Sequence, residues 1–94
     1  MGKVESIAIS GLDLWFNSSD HLPPHFHVRK TDTWEIRVFI MGCTMGRLDY
    51  EIKWPLHGKG PSGGEQREIL AAVLKHRDRL LAEWEKKVVV MEVM

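Results

Sequence analysis

Hydrophobic residues follow a period of two through the first half of this chain and a period near 3.6 through its last third. A period of two is that of a half-buried β-strand, and 3.6 that of an amphipathic helix. Trp34, Ile36, Val38 and Ile40 alternate with Glu35, Arg37, Phe39 and Met41; then Leu48, Tyr50, Ile52 and Trp54 alternate with Asp49, Glu51 and Lys53. Residues 55–64, with Gly58, Gly60, Gly63, Gly64, Pro55 and Pro61, can only be a loop. Beyond it Leu70, Val73, Leu74, Leu81 and Trp84 recur at helical spacing. Ser62 and Glu65 stand at capping-box spacing, so the helix is expected to start there, and Glu83 and Lys87 form an i, i+4 pair on its outer side.

Upstream, Ile7 and Ile9 share one phase and Leu12, Leu14 and Phe16 the other, which places a break at Gly11. His25–Lys30 and residues 34–41 read as a hairpin turning at Thr31, Asp32 and Thr33. The run Val88, Val89, Val90 is β-branched and predicts a terminal strand, whose open edge invites pairing with a second copy. The fold class is therefore α+β: an antiparallel sheet of about four to five strands packed against one long C-terminal helix. Ninety-four residues make one small core, so a single domain over 1–94 is expected, with Trp34, Trp54 and Trp84 in it.

Thirteen basic residues offset thirteen acidic ones, which argues against holding nucleic acid by bulk electrostatics. Cys43 is the single cysteine, so no intrachain disulfide forms. It is expected to be an inert thiol. No apolar run suits a signal peptide or a membrane span, so a cytoplasmic home is expected. The glycines before the helix superficially suggest a phosphate cradle, but the Gly-Lys-Ser/Thr order of a P-loop is missing.

The chemistry concentrates in His21-Leu22-Pro23-Pro24-His25-Phe26-His27-Val28. Residues i and i+2 of a strand share a face roughly 7 Å apart, so His25 and His27 point one way and Phe26 and Val28 the other. His21, His25 and His27 are a candidate three-histidine site for zinc or another divalent metal, with Cys43, His57 or a neighbouring acid as a fourth ligand. The bland alternative is packing and backbone hydrogen bonding around the rigid Pro23-Pro24 turn. On the helix, His76 and Arg77 are a candidate pair facing the histidine segment, Arg77 with a buried stem and a head that reaches a carboxylate; the plain alternative is a solvated helix face.

The histidine octapeptide resembles the His-x-Pro-Pro-His-Phe-His-Val segment of the bacterial family catalogued as domain of unknown function 4160. His76-Arg77-Asp78-Arg79-Leu80-Leu81-Ala82-Glu83-Trp84 is similar to that family's helix pattern, and the order of the two segments agrees. The resemblance implies a small stand-alone bacterial or phage protein, set beside a second small protein in the manner of a toxin–antitoxin pair, and no assigned activity. Two functions follow as expectations. One is a protein-interaction or regulatory module that binds a small partner protein. The other is a metal-dependent, nuclease-like hydrolase built on His21, His25 and His27; no carboxylate stands at a fixed spacing from them, so no catalytic residue is assigned.

Overall fold

The computed structural model describes residues 2–55 and 58–88. Five strands follow one another: β1 (Gly2–Lys3), β2 (Asp13–Phe16), β3 (His25–Lys30), β4 (Trp34–Phe39) and β5 (Tyr50–Trp54). They form one antiparallel meander in the order β1-β2-β3-β4-β5. Helix α1 (Gly63–Lys87) then packs on one face of it. The α+β expectation is met.

Alternation sorts the strands between two faces. Leu14 and Phe16 of β2, Phe26 and Val28 of β3, and Trp34, Ile36 and Val38 of β4 are buried in one cluster with Ile69, Val73, Leu80 and Trp84 of α1. Asp13, Trp15, His25, His27, Arg29, Glu35 and Arg37 alternate to the other face. The β3–β4 turn needs a left-handed residue, and Asp32 supplies it at φ 58°. Gly11, at φ 82°, makes the break between the two apolar phases of the N-terminal segment. Only the second phase becomes a full strand: Leu14 and Phe16 pair in β2, while Ile7 is buried from a segment with no sheet partner.

Ser62 caps α1 as the spacing predicts. Its hydroxyl accepts from the Glu65 amide at 3.2 Å, and Glu65 accepts from the Ser62 amide at 2.9 Å. The Lys30 ammonium, then the Ser62 amide, hold the Glu65 carboxyl below its ordinary value. Ser62→Ala is expected to cost about 1 kcal/mol of stability, read by urea unfolding.

Three expectations need correction. The buried helix stripe is Ile69, Val73, Leu80 and Trp84, whereas Leu70, Leu74 and Leu81 are only half-buried. Two adjacent leucine phases looked alike in sequence, and packing on the sheet selected one of them. Glu83 is not on the outer side; it is buried and anchors the N-terminal segment. Trp54 is half exposed, because β5 is an edge strand that α1 does not cover. The expected terminal strand lies almost wholly outside the described residues, and Val88 serves as the helix C-cap.

Candidate metal centre

β3 is buried on both of its faces at His25–Val28. Phe26 and Val28 enter the core beneath α1. Three elements enclose the histidines on the helix-free face. The Trp15 side chain on β2 is registered opposite His27 and stacks on its ring, with centroids 5.3 Å apart and planes 18° apart. Phe39, the β4 partner of His25, lies 5.7 Å from it by ring centroids. The connection from β2 to β3 folds over both rings and brings Asp20 to them. A turn shapes that connection: the Asp20 amide donates to Asn17 O, and the Asn17 amide donates to Asp20 Oδ2, each at 3.2 Å.

Asp20, His25 and His27 each offer one ligand atom, and these atoms all lie within 4.8 Å of one another. Asp20 Oδ2 is 3.0 Å from His27 Nε2 and 3.4 Å from His25 Nε2. Bonds of about 2.0–2.1 Å in a tetrahedron put neighbouring ligand atoms about 3.3–3.4 Å apart; the His25 spacing matches this, and the His27 spacing is that of a hydrogen bond that would open slightly around a cation.

Pro23 O can only accept, so His25 Nδ1, 2.8 Å away, carries a hydrogen, and Nε2 is the atom turned to Asp20. The Trp15 indole N–H can only donate, so the Asn17 oxygen 3.2 Å away receives it and the Asn17 NH2 turns to His27 Nε2 at 3.0 Å. His27 Nε2 is also 3.0 Å from Asp20 Oδ2, so this nitrogen sits between the Asn17 amide and the Asp20 carboxylate. Burial, the largest influence on His27, pushes its imidazole below the ordinary range against the pull of Asp20. Burial pushes Asp20 up, but the His27 contact, the charge of both rings and the Asn17 amide outweigh it and hold the carboxyl below its ordinary value. Two imidazole nitrogens converge on one carboxylate oxygen, a set that a proton or a bound cation completes.

His25 and His27 therefore come together as the strand alternation predicts, joined by Asp20. His21 is exposed and stands outside the group. The signal for Asp20 was its place in the polar turn just before the octapeptide, but only the fold shows that this turn closes over β3. Cys43 is turned elsewhere: its thiol donates to Phe39 O at 3.4 Å, and burial pushes its pKa up. His57 lies outside the described residues. His76 sits at a break in helical geometry, at φ −121° and ψ 24°. Arg77 falls on the buried stripe, but its guanidinium donates to the Cys43 carbonyl and not to a carboxylate. That bond ties α1 to the turn after β4.

Pro23 and Pro24 carry the chain into β3; Pro23 O receives His25, and Pro24 O receives the Ile40 amide at 3.1 Å. A cavity of about 500 Å³ opens beside β2 between Val4, Ile7, Leu12, Leu14 and Arg29, with Trp15 shared between it and the histidine cluster. No helix among the described residues is long and apolar enough to cross a membrane.

Searches of curated proteins and of solved structures found no match. A family model described as "Domain of unknown function (DUF4160)" matches residues 11–85, a span that runs from Gly11 through β2, the histidine cluster and the sheet to Glu85 in α1. The chain belongs to that family.

Proposed function

We propose that this chain is a metal-tied interaction module, in which Asp20, His25 and His27 hold a zinc-class divalent cation and the cation clamps residues 17–24 onto the sheet. The observation that carries this reading is the convergence of three potential ligand atoms, one from each residue, within 4.8 Å. The second nitrogen of His25 is anchored on a backbone carbonyl, the arrangement typical of metal-bound imidazole. The regulatory, partner-binding role fits better than the hydrolase. The Asp20, His25 and His27 side chains are only 13, 7 and 1% exposed, which suits holding a loop in shape more than admitting a substrate. A surface loop fixed in this way is what a small partner protein, as in a toxin–antitoxin-like pair, would read.

Untagged protein titrated with zinc in a calorimeter tests the proposal. One equivalent is expected to bind, with affinity falling by at least about tenfold in Asp20→Asn and in His27→Ala and staying within about threefold in His21→Ala. Absence of binding to the wild type would overturn it.

A further inference from the structure

The sheet has two edges, and they differ. β1 is two residues long, and the Lys87 ammonium occupies the Lys3 carbonyl at 2.7 Å. β5 is five residues long, and among the described residues no backbone group beyond β4 pairs with it. The Phe39 amide donates to Asp49 O at 2.9 Å, so Asp49 and Glu51 turn their backbone groups toward β4. Because backbone direction alternates along an antiparallel strand, Tyr50 and Ile52 turn theirs outward. Ile52 is 36% exposed and Trp54 50%. Such an edge is a template for another strand.

Tyr50-Glu51-Ile52-Lys53-Trp54 reads aromatic, acid, aliphatic, base, aromatic, and is therefore complementary to itself when reversed. We infer that β5 pairs antiparallel with β5 of a second copy about a two-fold axis at Ile52. The outward amide and carbonyl of each Ile52 then meet those of its counterpart, and the two Ile52 side chains become neighbours on the helix side of the sheet. Glu51 falls opposite Lys53 of the second copy, and the reverse. Within each copy Arg37 already lies 3.1 Å from Glu51, and Glu35 lies 3.9 Å from Lys53. Association strings these into a row of alternating charge: Arg37, Glu51, the second copy's Lys53 and its Glu35. Charges placed on an edge normally discourage pairing; this set repels strands that bring like charges into register and suits its own reverse.

The register irregularity opposite Glu35 and Ile36 limits the regular part of β5, so the contact is short and the dimer weak. Both helices lie on the same side of the ten-stranded sheet. The contact does not involve the histidine cluster, so it stands or falls independently of metal binding.

Sedimentation velocity on the full chain, from about 10 µM to about 1 mM, suits an interface of this size. The wild type is expected to show a sedimentation coefficient that rises with concentration, less steeply at high salt. Ile52→Pro is expected to remain a monomer throughout. Its lost N–H is the outward one, so the β4–β5 ladder stays intact, as circular dichroism and an unchanged melting temperature will show. Glu51→Lys and Lys53→Glu are each expected to weaken association at least about tenfold, through like charges in register. An equimolar mixture of those two variants is expected to associate again, because their strands complement each other. The proposal is overturned by a wild type that stays monomeric at the highest concentration. It is equally overturned by association that survives Ile52→Pro, or by a mixture that behaves as its separate components.

Discussion

Phe26→Ala is expected to lower the unfolding free energy by about 3–5 kcal/mol. Phe26 is fully buried, registered against Val38 on β4, and in one cluster with the α1 residues Ile69, Val73 and Leu80. Removing its ring leaves a cavity at the centre of the layer that joins helix to sheet. A small domain holds only about 5–15 kcal/mol in all, so the variant keeps a thin margin. Its melting temperature is expected to fall by more than about 10 °C. Phe26 also lies between His25 and His27, so losing its grip on the core frees the strand that carries both rings. Under the proposed function, zinc at about a hundredfold excess over its Kd returns about 2.7 kcal/mol to a variant that still folds. Guanidinium unfolding with and without zinc measures both quantities.

Glu83→Ala is expected to cost about 2–3 kcal/mol. The carboxylate is buried on α1, where it accepts from the Glu5 amide at 2.7 Å, from the Ser6 amide at 2.8 Å and from the Ser6 hydroxyl. Lys87 lies 2.8 Å from it, one turn further on, and also reaches Glu5. Truncation leaves the two amides without their partner, while Lys87 keeps Glu5 and the Lys3 carbonyl, and it unties residues 5–6 from the helix. Burial works against the charge of Glu83, but the Lys87 ammonium, the Ser6 hydroxyl and the two amides outweigh it, so its pKa is lowered. A lowered carboxyl pKa means stabilisation that is complete above the unfolded value and is lost as the pH falls through the folded one. The stability gap between wild type and Glu83→Gln is therefore constant near neutrality. It begins to close as the pH drops below the ordinary glutamate range and vanishes once the folded carboxyl is protonated. Parallel denaturant curves at descending pH test this; a gap unchanged at the acid end would show that the charge of Glu83 plays no part.

Much of this architecture was legible before any coordinates. Period two over β4 and period 3.6 after residue 64 follow from one side being wet and the other dry; in β5 the same alternation marked a strand, but Ile52 and Trp54 on its apolar side are exposed. The Ser62–Glu65 cap and the break at Gly11 are local as well, settled by side chains and backbone within a few positions. The opposed facing of Phe26 and His25 follows from strand geometry alone. What the chain by itself left open were choices between alternatives of nearly equal local merit. Leu70 and Ile69 offered the helix two apolar phases, and packing on the sheet put Ile69 into the buried cluster and left Leu70 half-buried beside it. Glu83 and Lys87 form a good exposed pair on any isolated helix; the return of residues 5–6 to α1 buried one of them. Trp54 is apolar enough for a core, but the strand order put it on an edge.

The metal centre divides in the same way. His25 and His27 share a face because a strand has period two, and that much belongs to the sequence. Asp20 and His21 are adjacent, both polar and both in a turn, and nothing local separates them. Asp20 became the third member because the Asn17 turn folds its carboxylate over β3 while His21 points to solvent. Such a contact spans five to seven residues of irregular chain, and only the packing of that chain on Trp15 and the β3 rings determines which side chain arrives.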